Sequence, residues 1–369
     1  MDIRRFNNTN TALREKYLDF WGQALDPAFY AALNVDASRR SNGRFETLND
    51  SQRVVKEAFT HWRLFNTETL NSYFVEPSAS FWAVDDVPRP LGCVVSASAP
   101  NVDELDGADA AIYGPFFASG VDDETKPSVA RTLIEAAENA LRDKGVRRVF
   151  AGGAPPRVSE SGRAPTGAPL LNGIYGFGSP VGFFDADPTR NFFKETGYEA
   201  DLDERGVERA FVERRIDADS FFPSDADFPA DWRLTRDSRR PANWRAAAIG
   251  RNFTNARQYA WIRREAPQLL AVAWTYDLFR TCPTTGELCV QRVVSRLKTR
   301  DAFRRRRLAS ALVAAIVEDA ESIRRTTGGR SLEICAVVPA ADEDARRFWD
   351  AQGFAVGRRS TPLVKTFDD

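Results

Sequence analysis

The sequence predicts two α/β (α+β) domains in tandem, and three observations support this fold class. The chain has 369 residues, which exceeds one typical domain and suffices for two, each with its own core. The order of predicted strands and helices in the first half recurs in the second half over about 140 residues. A polar, proline-bearing segment without periodicity, Phe221–Asp231, lies between the halves. We therefore predict domains at residues 1–220 and 232–369, joined by a linker at 221–231.

The first half is predicted to begin with helices and to continue as strands, helix, strand and helix. Residues 1 to about 75 are expected to be mostly helical, because their apolar positions recur at helical spacing. Three β-type runs follow: "FWAV", "LGCVVSASA" and "AAIYGPFF". A long amphipathic helix begins near Pro127, which suits a first turn, and ends at Gly145, which suits a C-terminal cap. The run "VRRVFAGG" indicates a buried strand, and a short helix ends at Gly197.

The second half repeats this order. The run "WRLTR" is predicted as a strand and "PANWRAAAIGRNF" as a helix, followed by two longer strands, "QLLAVAWTYDLF" and "LCVQRVVSRLKT". Four consecutive arginines then lead into the helix "RLASALVAAIVEDAESIRR". A strand, "SLEICAVV", and a second helix, "DEDARRFWDAQ", complete the pattern.

Composition argues against several classes of protein. The chain carries 51 Lys and Arg against 52 Asp and Glu, a net charge of -1 and a pI of about 6.1, which is unusual for a dedicated nucleic-acid binder. The helix after the arginine run is apolar and then acidic, so we expect no nucleic-acid partner. Because no long apolar span or signal peptide is evident, we expect no membrane association and a cytoplasmic location.

Cysteine and histidine usage points to a protein without a metal. Cys93, Cys282, Cys289 and Cys335 form no C-x-x-C pair and are expected to be free thiols. The single histidine, His61, cannot supply a histidine cluster. We expect a partly packed aromatic-flanked histidine and no metal site.

The second half resembles the GNAT (N-acetyltransferase) superfamily. A strand, an arginine-rich turn, a long helix, a strand and a helix that closes with "FWDAQGF" follow one another in that family's order. The family motif Gln/Arg-x-x-Gly-x-Gly/Ala matches here at Arg304 and Ala309, while Arg307 stands where glycine is usual. Trp349 occupies a position that often holds a tyrosine. The resemblance implies a mixed, mostly antiparallel central sheet flanked by helices in each domain.

The first half resembles the same family only weakly, as in tandem GNAT proteins with one degenerate domain. Ser128 and Ala130 stand at the small-residue positions of the helix start, but no arginine or glutamine precedes them. Phe193 stands at the tyrosine position of the closing helix. We therefore expect the cofactor in the second half.

The resemblance implies acetyl-CoA as the acyl donor and direct attack of an amine on its thioester. A helix N-terminus with small residues is a suitable binding site for a diphosphate. The residues expected at the cofactor are Leu297, Thr299, Arg304, Arg305, Arg306, Arg307, Leu308, Ala309, Ser310 and Trp349. Arg307 could bind phosphate through its guanidinium or could obstruct the approach of the diphosphate.

The catalytic groups are harder to assign. Trp349 cannot replace a tyrosine as proton donor. Glu333, on the strand expected beside the acyl site, is the candidate base, although it could equally be an ion-pair partner of an arginine. We predict an N-acetyltransferase acting on a small-molecule or peptide amine, as a monomer or homodimer. Two alternatives stay open: an eroded acyl-CoA-binding or scaffold protein, and an acyltransferase with another donor, such as aminoacyl-tRNA.

Overall fold

The structure is a computed structural model of the full chain. It describes residues 1–5, 20, 76–85, 89–98, 109–152, 183–221, 228–237, 254–264, 268–281, 288–327 and 331–367. The helices predicted within residues 6–75, apart from the helical Phe20, and the helix predicted within residues 241–253 lie outside the described residues. The segment containing His61 also lies outside them.

Residues 1–210 contain six strands and two helices among those that the structure describes. The strands are β1 (Asp2–Arg5), β2 (Glu76–Val84), β3 (Pro90–Ser98), β4 (Asp109–Phe117), β5 (Arg148–Ala151) and β6 (Glu199–Ala200). The helices are α1 (Thr125–Arg142) and α2 (Thr189–Glu195). The predicted strands and both predicted helices are confirmed here. Gly145 and Gly197, the predicted helix ends, have the left-handed φ values of 77° and 89° that favour glycine. The strand at β1 differs from the helix expected at the N-terminus.

The remaining elements follow from residue 211. The strands are β7 (Phe211–Asp217), β8 (Trp232–Asp237), β9 (Thr254–Arg263), β10 (Gln268–Thr281), β11 (Leu288–Thr299), β12 (Ser331–Pro339), β13 (Ala355–Ser360) and β14 (Leu363–Thr366). The helices are α3 (Leu308–Thr327) and α4 (Glu343–Ala351). The strands predicted from the sequence at β8, β10, β11 and β12 and the helices predicted at α3 and α4 are confirmed, whereas β7, β9 and β14 were not predicted.

These elements form two seven-stranded mixed sheets, each mostly antiparallel, as predicted. The first sheet has the order β1-β2-β3-β4-β5-β14-β6, and the second has the order β13-β7-β12-β11-β10-β9-β8. In each sheet the central pair is parallel, β4 with β5 and β11 with β12. The predicted tandem α/β fold is therefore confirmed.

The two compact units are not contiguous in sequence. Among the described residues, the first contains those up to Ala210 and those from Arg359 onward, and the second contains those from Phe211 to Arg358. Strand β7, which precedes the predicted linker, pairs with β12 in the second sheet. Strand β14, at the C-terminal end of the chain, pairs with β5 and β6 in the first sheet. Each sheet is thus completed by a strand from the other half of the sequence, whereas the sequence predicted contiguous domains.

Each unit has its own hydrophobic core, built by one long helix on its sheet. Helix α1 buries Val129, Leu133 and Ala137, which recur every four residues and therefore share one face. Helix α3 buries Leu308, Leu312, Ile316 and Ala320 with the same spacing. Each fully buried Val, Leu or Ile side chain contributes about 1.5 to 3 kcal/mol, so this face fixes each helix on its sheet.

The predicted linker contributes to the second core. Phe221 and Phe228 pack against that core, and the ring of Phe228 lies 4.4 Å from that of Trp261. Phe221 and Phe228 are therefore structural residues, although the segment lacks periodicity.

Candidate functional site

The central strands of the second sheet separate beyond a short parallel pairing. Strands β11 and β12 pair from Cys289 and Ser331 as far as Val294 and Ala336. Next, the pairing of β11 with β10 skips Ser295, since Val294 lies opposite Thr275 and Arg296 opposite Trp274. Such a bulge bends a strand and often ends its pairing.

Leu297 and Thr299 lie beyond this bulge. They remain opposite Ala273 and Ala271 of β10, while the described pairing with β12 has already ended. Their backbone groups therefore line the opening between the central strands, where the sequence predicted contact with a cofactor arm.

The arginine turn between β11 and α3 has an unusual backbone. A single 3-10 turn, Asp301–Phe303, precedes Arg304, which is extended with φ -60° and ψ 156°. Arg305 and Arg307 are left-handed, with φ values of 62° and 59°. Such a conformation costs a residue other than glycine about 1 to 2 kcal/mol. Arg307 thus adopts the conformation that glycine favours at its motif position.

This backbone suits an anion. The left-handed Arg305 and Arg307 alternate here with Arg304 and Arg306, which are not left-handed. The turn leads directly into α3, whose first amides have no partners within the helix. Leu308 is buried and anchors the helix start, while Ala309 and Ser310 are half-buried small residues. The arginine turn and the start of α3 therefore place several hydrogen-bond donors close together at a helix N-terminus.

The four arginine side chains are exposed. Arg304 forms an ion pair of 2.8 Å with the exposed Asp301, which is weak because both groups are solvated. The guanidinium of Arg306 lies 5.8 Å from the ring centre of Trp232 and 5.7 Å from that of Phe303, within cation–π range. Two aromatic rings therefore hold one of the arginines beside the turn.

Glu333 lies on the face of β12 opposite the α3 core. Its neighbours Leu332 and Ile334 face that core, as the alternation of the strand requires. Its carboxylate accepts a hydrogen bond of 2.9 Å from Gln291 Nε2 and lies 3.5 Å from Arg215. The side chain is 31% exposed, so it can reach water. Glu333 thus has the arginine contact that the sequence suggested. Its carboxylate also has the solvent access that a general base requires.

Trp349 lies in the second core. It is 3% exposed, and its ring centre lies 4.6 Å from that of Phe354 and 5.2 Å from that of Phe348. The indole is therefore a packing group, and its contact with a cofactor remains a prediction.

The second unit also contains a buried charged network that the sequence did not predict. Arg292 is fully buried and donates to Tyr259 Oη and to Asp319 Oδ2, both at 3.0 Å. Arg257 donates to the same carboxylate at 2.7 Å. Burial raises the pKa of Asp319, but the hydrogen bond from Tyr259 and the charges of the two arginines outweigh it and hold that pKa below its usual value. The available signal was an arginine inside the apolar run "VQRVV" and an aspartate inside an apolar helix.

The first half repeats this frame with different chemistry. Strand β4 pairs with β5 only as far as Ile112, and a bulge follows at Gly114 and Pro115, where the pairing with β3 shifts. The loop after β4 leads to α1 through Asp122, Asp123 and Glu124 instead of arginines. Ser128 and Ala130 lie in the first turns of α1.

The closing helix of the first half also carries a core residue at the tyrosine position. Phe193, in α2, is fully buried, and its ring centre lies 5.0 Å from that of Tyr198. Phe193 is therefore a packing residue, like Trp349.

Two negative findings concern only the described residues. They contain no group of three or more His, Cys, Asp or Glu side chains placed to bind a metal ion. None of their helices has the length and hydrophobicity required to span a bilayer.

Comparison with known proteins supports the fold. No family model matches the sequence, and no curated protein matches it. A solved tandem GNAT protein from the clavulanic acid biosynthesis pathway is similar, with a TM-score of 0.58 and 12% sequence identity over 100% of this chain and 99% of that chain. A GCN5-related N-acetyltransferase from Sphaerobacter thermophilus aligns with a TM-score of 0.41 and 11% identity over 93% of this chain and 94% of that one. The chain has the tandem GNAT fold.

Proposed function

We propose that the protein is an acetyl-CoA-dependent N-acetyltransferase whose donor site lies in the second half. The observation that carries this proposal is the turn before α3. There, four consecutive arginines, two of them left-handed, precede the N-terminus of a 20-residue helix beside the opening of the central strands. This arrangement places positive charge, the N-terminal amides of a helix and an open strand edge together, which matches a ligand with phosphates and an extended amide-containing arm.

The residues present fit acetyl-CoA. Arg304 and Arg306 would neutralise its phosphates, and the amides at the start of α3 would bind its diphosphate. Leu297 and Thr299 would bind the pantetheine arm through their backbone groups. Arg305 and Arg307 add charge at the rim of the turn, and Leu308 holds the helix start in position. When bound, the cofactor supplies an acetyl group activated as a thioester.

Glu333 is the proposed base for the acceptor amine. An ammonium group must lose a proton before it can attack, and the exposed part of the Glu333 carboxylate can take that proton through water. The hydrogen bond from Gln291 fixes the orientation of this carboxylate. Trp349 supplies no proton, because it is buried and its only polar group is a weakly acidic N–H. Water is therefore the proposed proton source for the thiolate.

The test compares ligands and variants of the full chain. CoA should bind once per chain and should bind at least tenfold more tightly than pantetheine, which lacks the phosphates. Replacing Arg304 and Arg306 together with Ala should weaken CoA binding by about tenfold to a hundredfold and leave pantetheine binding unchanged. Arg325 and Arg347, which are also exposed on helices of this unit, provide the matched double replacement as a control. Equal losses of CoA affinity in both double variants would overturn the proposed CoA-binding site.

A second candidate, a CoA-binding protein without turnover, is favoured by one observation. The position that often holds a tyrosine is occupied by the buried Trp349. Turnover assays with acetyl-CoA and a panel of small amines and peptides separate the two candidates. Acetylation of an amine that falls at least tenfold in Glu333→Gln, with CoA affinity retained, supports the enzyme. CoA binding without acetylation of any amine in the panel supports the second candidate.

A further inference from the structure

The first unit contains a cavity at the opening between β4 and β5. Its volume is about 320 Å³, and it is lined by the loop that follows the β4 bulge, by the start of α1 and by residues before and in α2. This volume is at the small end of ligand pockets, which span roughly 300 to 1,000 Å³. The cavity is therefore large enough for a small organic molecule and small for a complete CoA.

Three aromatic side chains contribute to the walls of this cavity. Phe116, Phe117 and Phe183 line it, and Phe116 and Phe183 are each 7% exposed. The ring of Phe183 lies against Gly152, where a Cβ atom would approach it to 2.6 Å. Phe117 is fixed by an edge contact with Phe192, with 5.6 Å between ring centres. The apolar surface is thus held in place before any ligand arrives, which favours binding.

The polar side chains of the lining are donors. Among the described residues that line the cavity they are Ser119, Lys126 and Thr189, and none of these lining residues is acidic. Lys126 also lies in the first turn of α1, where the helix dipole favours a negative charge. Its partner Asp123, at 2.6 Å, is 94% exposed, so this ion pair is weak and can yield to a ligand. The ligand's head group should therefore accept hydrogen bonds and carry one negative charge.

The loop disfavours the phosphates of CoA. Three acidic residues lie directly before α1, namely Asp122, Asp123 and Glu124. The Asp122 carboxylate accepts a hydrogen bond of 2.7 Å from the backbone amide of Thr125, so it already caps the first amide of this helix. Three carboxylates stand here where four arginines precede α3. A ligand with several phosphate charges would be repelled, whereas a single carboxylate could bind Lys126 on the cavity side.

We propose that this cavity binds a small monocarboxylate with an aromatic or aliphatic body, at a site separate from the CoA seat. The carboxylate contacts Lys126, with Ser119 and Thr189 as further donors, and the body packs on the three phenylalanines. This site does not depend on the function proposed for the second half.

Isothermal titration of the full chain with 3-phenylpropanoate and octanoate tests the proposal. We expect one site per chain and binding at least tenfold tighter than that of 3-phenylpropan-1-ol or 3-phenylpropylamine. Lys126→Met should weaken carboxylate binding at least tenfold, while Lys144→Met, which removes an exposed charge just beyond the other end of α1, should change it less than twofold. Thr189→Val should also weaken binding, and it serves if Lys126→Met does not fold.

Other outcomes would overturn the proposal. They are no binding of either carboxylate, equal binding of the alcohol or amine, or loss of carboxylate affinity in Lys144→Met equal to that in Lys126→Met. Competition by CoA that depends on Lys126 would make the cavity a second CoA seat. We expect the double variant Arg304→Ala, Arg306→Ala to bind the carboxylates as tightly as the parent protein does. This result would distinguish the cavity from the proposed CoA-binding site before α3.

Discussion

The loops that precede α1 and α3 occupy equivalent places in the two halves and differ in nearly every chemical respect. Both follow a bulged central strand that has just separated from its parallel neighbour. The loop before α1 carries three carboxylates and lines an aromatic cavity together with Lys126 of the first helical turn, whereas the turn before α3 carries four exposed arginines. The shared backbone frame creates a place for a ligand in each half, and the side chains decide which ligand it accepts.

The largest effect is expected from breaking the strand pairing that completes each sheet. A fragment of residues 232–369 lacks β7, which lies between β13 and β12, and it carries β14, which belongs to the first sheet. A fragment of residues 211–358 retains β7 to β12 and the first four of the six residues of β13. We expect cooperative thermal unfolding, followed by circular dichroism, for the 211–358 fragment only. Equally cooperative unfolding of residues 232–369 would contradict the proposed need for β7.

The next effect concerns the buried charged residues that link each long helix to strands of its own sheet. Asp319→Ala leaves the fully buried Arg292 without its carboxylate, which should cost about 3 to 5 kcal/mol of unfolding free energy. In the first unit, Glu138→Ala should cost less, about 1 to 3 kcal/mol, because its partner Lys365 is 22% exposed and also donates to the Thr196 carbonyl at 2.7 Å. Urea denaturation measures both losses.

Glu318→Ala is the matched control for this pair. Glu318 is adjacent to Asp319 and is 73% exposed in its ion pair with Arg236, so its loss should cost no more than about 1 kcal/mol. A loss for Glu318→Ala as large as that for Asp319→Ala would show that any change in this part of α3 destabilises the unit.

A smaller effect is expected from the left-handed arginines. Arg307→Gly relieves the strain at φ 59° and should raise the unfolding free energy by about 0.5 to 1 kcal/mol, while CoA binding weakens severalfold because an exposed charge is lost. Arg304→Gly provides the control, since Arg304 is extended and gains no such relief. Higher stability in the Arg304 variant, or tighter CoA binding in the Arg307 variant, would contradict this account.

The smallest effect at neutral pH comes from the low pKa of Asp319. A carboxylate whose pKa is lower in the folded state stabilises that state above its unfolded pKa of about 3.9, and this contribution is lost as the pH falls through the folded value. The unfolding free energy should therefore fall less steeply below about pH 4 in Asp319→Asn than in the parent protein. Identical acid limbs in urea titrations would exclude this contribution.

The sequence alone determined the repeated order of elements, the helix ends at Gly145 and Gly197, and the position of the arginine turn before α3. These features depend on local interactions, namely apolar periodicity, capping and the backbone preferences of glycine and proline, which are read over a few residues. The role of the turn in binding CoA follows from the same local pattern and remains a prediction.

The tertiary structure decided which strands complete each sheet, because β7 and β14 pair with residues far away in sequence and carry no local signal for their partners. It also decided that Arg292 is buried against Asp319. From the sequence alone, an arginine within an apolar run is predicted to be exposed, because arginine is rarely buried without a partner. The left-handed Arg305 and Arg307 likewise required the structure, because residue type predicts that conformation for glycine and not for arginine. Local chemistry fixed the elements, and long-range pairing fixed their partners.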